Sequence, residues 1–319
     1  MSIDEVGKKE KKYITAPLLM IAATFLFATM SMCVKFASSE YSTGELIFYR
    51  GLVGTAMIII FTRVRGGTLR TRLPTLHFRR SMAGVSSLGL WFYSIGGLPL
   101  ATAVTLNYMS PIWLALILIG GSSFLGDYPA DSSPDSKRVD MRLVLAVLVG
   151  FAGVVCILQP TVNRDQLWSA LLGVLSGLLA ALAYLHMTAL GRAGEPEDRV
   201  VFYFSVGSIV AGALLTSLIS EWHAHTPKGF GVVLAVGVLA TLAQLLMTRA
   251  YRMGGVLANS SLQYLGIGWS YIYGVLLFDD AVTVMALLGM GLIAAAGIFA
   301  TMLRQSVSTA VQANVPTEP

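Results

Sequence analysis

Asn107-Tyr108-Met109-Ser110-Pro111-Ile112-Trp113 and Gln263-Tyr264-Leu265-Gly266-Ile267-Gly268-Trp269 decide how this chain is read. Sliding one stretch over the other brings an amide onto an amide, a tyrosine onto a tyrosine and a tryptophan onto a tryptophan. Each stretch sits inside an apolar run about as long as the ~20 residues a helix needs to cross hydrocarbon. Outward from the first, further runs occupy 16–36, 43–61, 81–98, 101–121 and 141–158; outward from the second, they occupy 167–190, 200–219, 230–248, 256–278 and 281–303. The match puts the fourth run on the ninth, as a duplication of five helices requires. Five is odd, so the two copies must enter the membrane from opposite faces, the inverted-repeat plan of many secondary transporters, with the substrate site near the midplane. The expected fold is an all-α polytopic membrane protein of ten transmembrane helices in two inverted five-helix repeats. The repeats cover 16–160 and 161–303, between tails at 1–15 and 304–319.

Composition agrees with a membrane protein. Hydrophobic residues make up 55% of the 319 and charged residues 12%, against roughly a quarter charged in soluble domains. The formal charge of +5 lies in short loops beside apolar runs, which speaks for topology and against nucleic acid. With the N-terminus inside, only Arg164 and Lys228 of the 22 basic residues fall in outer segments, and only Lys35 and Arg50 fall within spans. Such asymmetry places both termini in the cytoplasm of a plasma membrane of bacterial inner-membrane type. The first run is span-length with no small-residue cleavage site after it, so it reads as an uncleaved helix. Cys33 and Cys156 both lie in apolar runs and imply no disulfide framework.

Several weak patterns together carry a family resemblance. Lys35 closes helix 1, Phe48-Tyr49-Arg50 opens helix 2, Phe92-Tyr93 lies in helix 3, and Leu98-Pro99-Leu100-Ala101-Thr102-Ala103 leads to Ser110-Pro111. From 16 to 303 the chain resembles the ten-helix EamA-type branch of the drug/metabolite transporter superfamily. Members usually carry Gly-Glu after helices 4 and 9; Gly126-Asp127 stands in for the first, and Phe278-Asp279-Asp280 lacks the glycine. The resemblance implies export or uptake of amino acids, nucleotide-sugar-like compounds or other metabolites, and does not fix which.

Ionisable groups inside a membrane are costly and usually functional, which singles out Lys35, Glu45, Arg50 and His186. Arg50 and Lys35 either attract a carboxylate or phosphate on the cargo or form a structural ion pair with Glu45. Glu45 and His186 are the candidates for ion coupling. Helix 1 holds no Asp or Glu, unlike the small multidrug-resistance proteins, so a cation/proton antiporter is disfavoured. Thr241, Gln244 and Thr248 on helix 8, and Asn259, Gln263 and Ser270 on helix 9, recur at helical spacing. They line a cavity or bridge helices. Asn107 and Tyr108 precede Pro111, whose missing N–H kinks helix 4 and makes it a hinge candidate. Trp91, Tyr93, Tyr108, Tyr184, Trp113 and Trp269 are the aromatics available to the cargo. Gly173 with Gly177 and Gly207 with Ala211 let helices approach, inside the bundle or in a homodimer.

No metal-protease, nucleophile-elbow or phosphate-loop motif occurs, and Gly289-Met290-Gly291 lacks the strand a dinucleotide loop needs. The expectation is therefore no enzyme, no cofactor and no metal. The partners are a small-molecule substrate and the lipid bilayer. Rival readings are a multidrug or cation exporter and a lipid-linked substrate flippase. The basic stretch from Arg63 to Arg80 reads as a topology anchor.

Overall fold

The computed structural model describes residues 3–98, 100–120, 141–158, 166–253 and 256–278, with short pieces between 284 and 299. The connector at 121–140, the C-terminal tail and most of the expected tenth span, Met290 included, lie outside the described residues.

All regular structure among the described residues is helical. The elements are α1 (Ile3–Ala37), α2 (Thr43–Val64), α3 (Pro74–Gly97), α4 (Leu100–Asn107), α5 (Ser110–Gly120), α6 (Met141–Leu158), α7 (Leu167–Arg192), α8 (Glu197–Ile219), α9 (Pro227–Met253), α10 (Val256–Leu262) and α11 (Leu265–Phe278). In lipid no water pairs the backbone, so a spanning segment must satisfy its own amides and carbonyls. Among the described residues, five helices are long and apolar enough to cross: Thr15–Ala37, Thr43–Val64, Leu167–Arg192, Glu197–Ile219 and Pro227–Met253. Their outward faces are apolar, with Leu18, Ile60, Leu214 and Leu218 exposed. In water that surface would be an aggregation hazard; in a bilayer it is the solvated one.

Two expected single helices are broken. The fourth run divides into α4 and α5 at Tyr108-Met109, one turn before the expected Pro111 kink. The ninth divides into α10 and α11 at Gln263-Tyr264, and its sequence holds no proline. Both breaks tighten to i→i−3 hydrogen bonds: Met109 N–H to the Leu106 carbonyl and Ile112 N–H to that of Met109 at the first, Gln263 N–H to Ser260 and Gly266 N–H to Gln263 at the second. Gly266 and Gly268 weaken the helix at the second break, since glycine is a poor helix former. The Tyr108 ring lies so close over Gly266 that a Cβ there would meet it at 2.5 Å. The two breaks thus pack against each other, and α4 runs against α11.

The most extensive pairings are α1 with α9, α2 with α8, and α3 with α7. The α2–α8 contact is close because glycines remove the side chains: a Cβ on Gly51 would stand 2.7 Å from the Ser205 carbonyl oxygen and 2.8 Å from the Ile209 nitrogen. Gly177 of α7 brings its helix onto the α4 end, where a Cβ would lie 2.8 Å from the Leu106 carbonyl oxygen. The small residues of α7 therefore serve the interior of the bundle.

Candidate functional site

α3 builds one wall of the site. His77, Arg80, Gly84, Ser87, Leu88 and Trp91 recur at three and four residues and form one buried stripe, while Phe78 and Arg79 between them are exposed. This is the periodicity of a helix with one face inward. Where the stripe meets α2, α7, α8 and α9 it encloses a cavity, with ≈ 590 Å³ of empty space up to its open mouth. The lining includes Arg50, Arg80, Trp91, Asn107, Tyr108, Tyr184, Gln244 and Gln263, and no Asp or Glu.

Two cations meet there. Arg50 and Arg80 are 5% and 2% exposed, and their guanidinium carbons lie 4.9 Å and 4.0 Å from the centroid of the Phe204 ring. Gly84, one turn after Arg80, leaves room for that guanidinium, which would collide with any Cβ at the position. Arg50 Nε and Arg80 Nε and Nη1 have no hydrogen-bond partner, and among the described residues neither arginine pairs with an acid. A cation–π contact is worth about 0.5–2 kcal/mol, whereas taking a charge out of water costs several kcal/mol. The ring alone does not compensate two of them.

The amide and hydroxyl groups around the breaks form a network. Asn107 donates to Ser176 Oγ at 3.0 Å, Ser110 to Gln263 Oε1 at 3.4 Å, and Gln263 to the Tyr251 hydroxyl at 2.6 Å. Tyr184 stacks on Tyr251 with ring centroids 5.2 Å apart. Thr241 and Thr248 donate to carbonyls of their own helix, so of the helix-8 polar face only Gln244 reaches the cavity, where its Nε2 is unpaired.

The other sequence candidates lie elsewhere. Lys35 Nζ donates to the carbonyls of Ile95 at 2.9 Å and Leu98 at 2.8 Å, closing the C-terminus of α3. Asn259 donates to the Ala250 carbonyl at 2.7 Å, tying α10 to α9. Tyr93 is 47% exposed on the outer face of α3. His186 Nδ1 lies 2.7 Å from the Leu182 carbonyl oxygen of its own helix. Pro111 is buried in the first turn of α5, just past the break.

Glu45 does not pair with Arg50 or Lys35. It closes a capping box with Ser42 at the start of α2 and accepts from the His223 backbone N–H, while its other oxygen lies against His223 Nδ1, both at 2.7 Å. A carboxylate at a helix N-terminus is drawn to the unsatisfied amides there, and the α8–α9 loop supplies two more groups. Glu45 thus knits α2 to that loop, beside His225, which bridges the Tyr41 and Tyr49 hydroxyls.

At the opposite end Glu195, in the α7–α8 turn, accepts from Thr71 at 2.9 Å and Arg199 at 2.8 Å, with His77 Nε2 3.4 Å away. Burial pushes its carboxyl pKa up, but the hydrogen bonds from Thr71 and Arg199 and the Arg199 charge outweigh that and leave it below the ordinary glutamate value. Arg80 is the charged lining residue the sequence reading missed, because it closes a basic stretch; Thr24, Ser87 and Phe204 also line the cavity unannounced. The signal was the spacing His77, Arg80, Gly84, Ser87, Trp91.

The chain is similar to several known proteins. Residues 14–125 match the EamA-like transporter family. The chain is 28% identical over 260 residues to the pseudopaline exporter CntI of Pseudomonas aeruginosa, covering 80% of this chain and 86% of that one. It is 24% identical over 302 residues to the riboflavin transporter of Rhizobium johnstonii, covering 94% and 95%. A solved crystal structure superposes with a TM-score of 0.74 at 18% identity, over 90% of this chain and 98% of that one, a likeness of fold.

Proposed function

We propose, from the premise that this chain is an EamA-type member of the drug/metabolite transporter superfamily, that it is a secondary carrier for a small polar, anionic or zwitterionic metabolite. The carrier sits in the plasma membrane with both termini in the cytoplasm, and two inverted repeats, 16–160 and 161–303, rock around the central cavity. The chain is an integral membrane transporter of small metabolites and not an enzyme; the cargo's charge and the alternating-access cycle are our reading.

Arg50 carries that reading: a cation that is buried, unpaired and lines a cavity without acids awaits a negative group on something that enters. Two features support the repeats. Exchanging α1 with α7, α2 with α8 and α3 with α9 turns the α1–α9 pairing into α7–α3 and leaves α2–α8 unchanged, and these are the dominant pairings. The two broken helices, α4–α5 and α10–α11, fall at matching places. Discontinuous helices around a midplane site are a recurring design in such carriers. The cargoes named for these relatives, pseudopaline and riboflavin, are metabolites and not simple ions.

The test is thermal stabilisation of the purified protein in detergent by a panel of carboxylates, amino acids and quaternary amines, since a ligand that binds only the folded state raises the melting temperature. Shifts by carboxylate-bearing compounds that disappear in Arg50→Ala, with that variant still folded, are expected. Shifts by quaternary amines alone would overturn the reading and restore a cation exporter.

A further inference from the structure

Every buried, unpartnered polar atom on the residues lining the cavity is a hydrogen-bond donor: Arg50 Nε, Arg80 Nε and Nη1, Trp91 Nε1 and Gln244 Nε2. The lining's acceptors are engaged differently. The Gln263 oxygen already accepts from Ser110, whereas Asn107 spends an amide N–H on Ser176. A surface of spare donors selects a ligand of spare acceptors, because a donor left unpaired inside protein forfeits its bond to water without replacement.

The charge is also doubled. Arg50 and Arg80 come from helices that run in opposite directions, each arginine about two turns from its helix's N-terminus, and both arms end on the same Phe204 ring. Like charges held near one ring repel, and nothing acidic among the lining residues offsets them. One carboxylate would answer one guanidinium and leave the other buried and bare. We infer that the Arg50–Arg80 pair makes this cavity a site for a cargo bearing two negative charges, each met by one guanidinium: a dicarboxylate or a phosphate monoester. This rests on the anionic-cargo reading above and narrows it, excluding monocarboxylates and simple zwitterions as preferred cargo. The unpaired Trp91 and Gln244 donors supply hydrogen bonds to further oxygens of the same molecule.

The experiment is binding to the purified full chain, by thermal shift and by equilibrium titration, of succinate, glycerol 3-phosphate, lactate, glycine and choline. For the wild-type protein, succinate or glycerol 3-phosphate should bind at least about tenfold more tightly than lactate or glycine, the scale of one charged hydrogen-bonded contact. Succinate without glycerol 3-phosphate identifies paired carboxylates; the reverse identifies a phosphate, whose binding should also strengthen as pH rises through its second ionisation near about 6. In Arg80→Gln the preference for dianions should collapse to parity with lactate, and in Arg80→Lys it should partly return. Should Arg80→Gln fail to fold, the wild-type ratio decides alone. Lactate binding as well as succinate, with loss in Arg50→Gln and none in Arg80→Gln, overturns the two-charge inference and leaves an anion carrier. Failure of both dianions to bind at millimolar concentration overturns it as well. Binding of choline alone overturns both readings.

Discussion

The molecule buries charge in two ways, and the contrast between its glutamates and its arginines separates architecture from site. Glu45 and Glu195 are each buried at an end of the bundle, and each is ringed by donors that tie a loop to a helix. Arg50 and Arg80 are as deeply buried and have an aromatic ring in place of a counter-charge. Burial alone therefore marks nothing; under the proposed function it is the uncompensated charge beside empty space that marks the site. Removing a satisfied charge should harm the fold, and removing an unsatisfied one should help it.

Glu195→Ala should show the largest effect. It strips the acceptor from Thr71 and Arg199 and leaves the half-buried Arg199 with the Thr68 carbonyl alone, which costs about 2–3 kcal/mol. Denaturant titration in mixed micelles should show that loss, with the selectivity among bound anions unchanged. A shift in anion preference without loss of stability would move Glu195 from the architecture to the site.

Arg80→Met should have the opposite sign. Replacing an unpaired buried cation with an apolar side chain of similar length should raise the stability of the empty protein by about 1–2 kcal/mol and abolish stabilisation by anions, the trade expected where a site is strained for function. Were the empty variant less stable than wild type, the ring contact would be structural and the comparison would break.

Much of this was legible in the sequence, and the misreadings have one physical origin. The apolar runs marked the helices because the bilayer fixes their length, and Pro111 marked a broken fourth helix because a missing N–H is visible in the chain. Arg50, Trp91, Asn107, Tyr108, Gln244 and Gln263 were named as cavity candidates, and all line it. Arg80 was hidden because Arg79 beside it faces solvent and the pair reads as one basic cluster; a helix turns about 100° per residue, so neighbours in sequence can face opposite ways. The break at Gln263-Tyr264 had no proline to announce it. Partners far apart in sequence were equally invisible: nothing near Glu45 in the chain points to His223, nor anything near Lys35 to Ile95 and Leu98.

Lys35 sharpens the contrast among the cations. Its ammonium rests on two carbonyls at the end of α3, where a cation also meets the negative end of the helix dipole, and it does not line the cavity. Lys35→Met should lower stability by about 1 kcal/mol and leave anion affinity as in wild type. Loss of binding at unchanged stability would return Lys35 to the site.

The smallest effect should appear in the acid limb of the stability curve. Glu195 has its carboxyl pKa held below the ordinary value by Thr71 and Arg199. A depressed folded-state pKa contributes stability that is fully present above the unfolded carboxylate value and is lost as pH falls through the folded one. Stability measured from pH 5 downward, a range in which His77 has ended its own titration in the unfolded chain, should therefore fall less steeply in Glu195→Gln than in wild type. Carboxylates elsewhere contribute equally to both curves, so the difference reports Glu195 together with His77, whose folded-state pKa burial lowers and Glu195 raises. Equal slopes would mean that its hydrogen bonds, and not its charge, hold the α2–α3 loop against α8, and Glu195 would then differ from the arginines in hydrogen bonding and not in electrostatics.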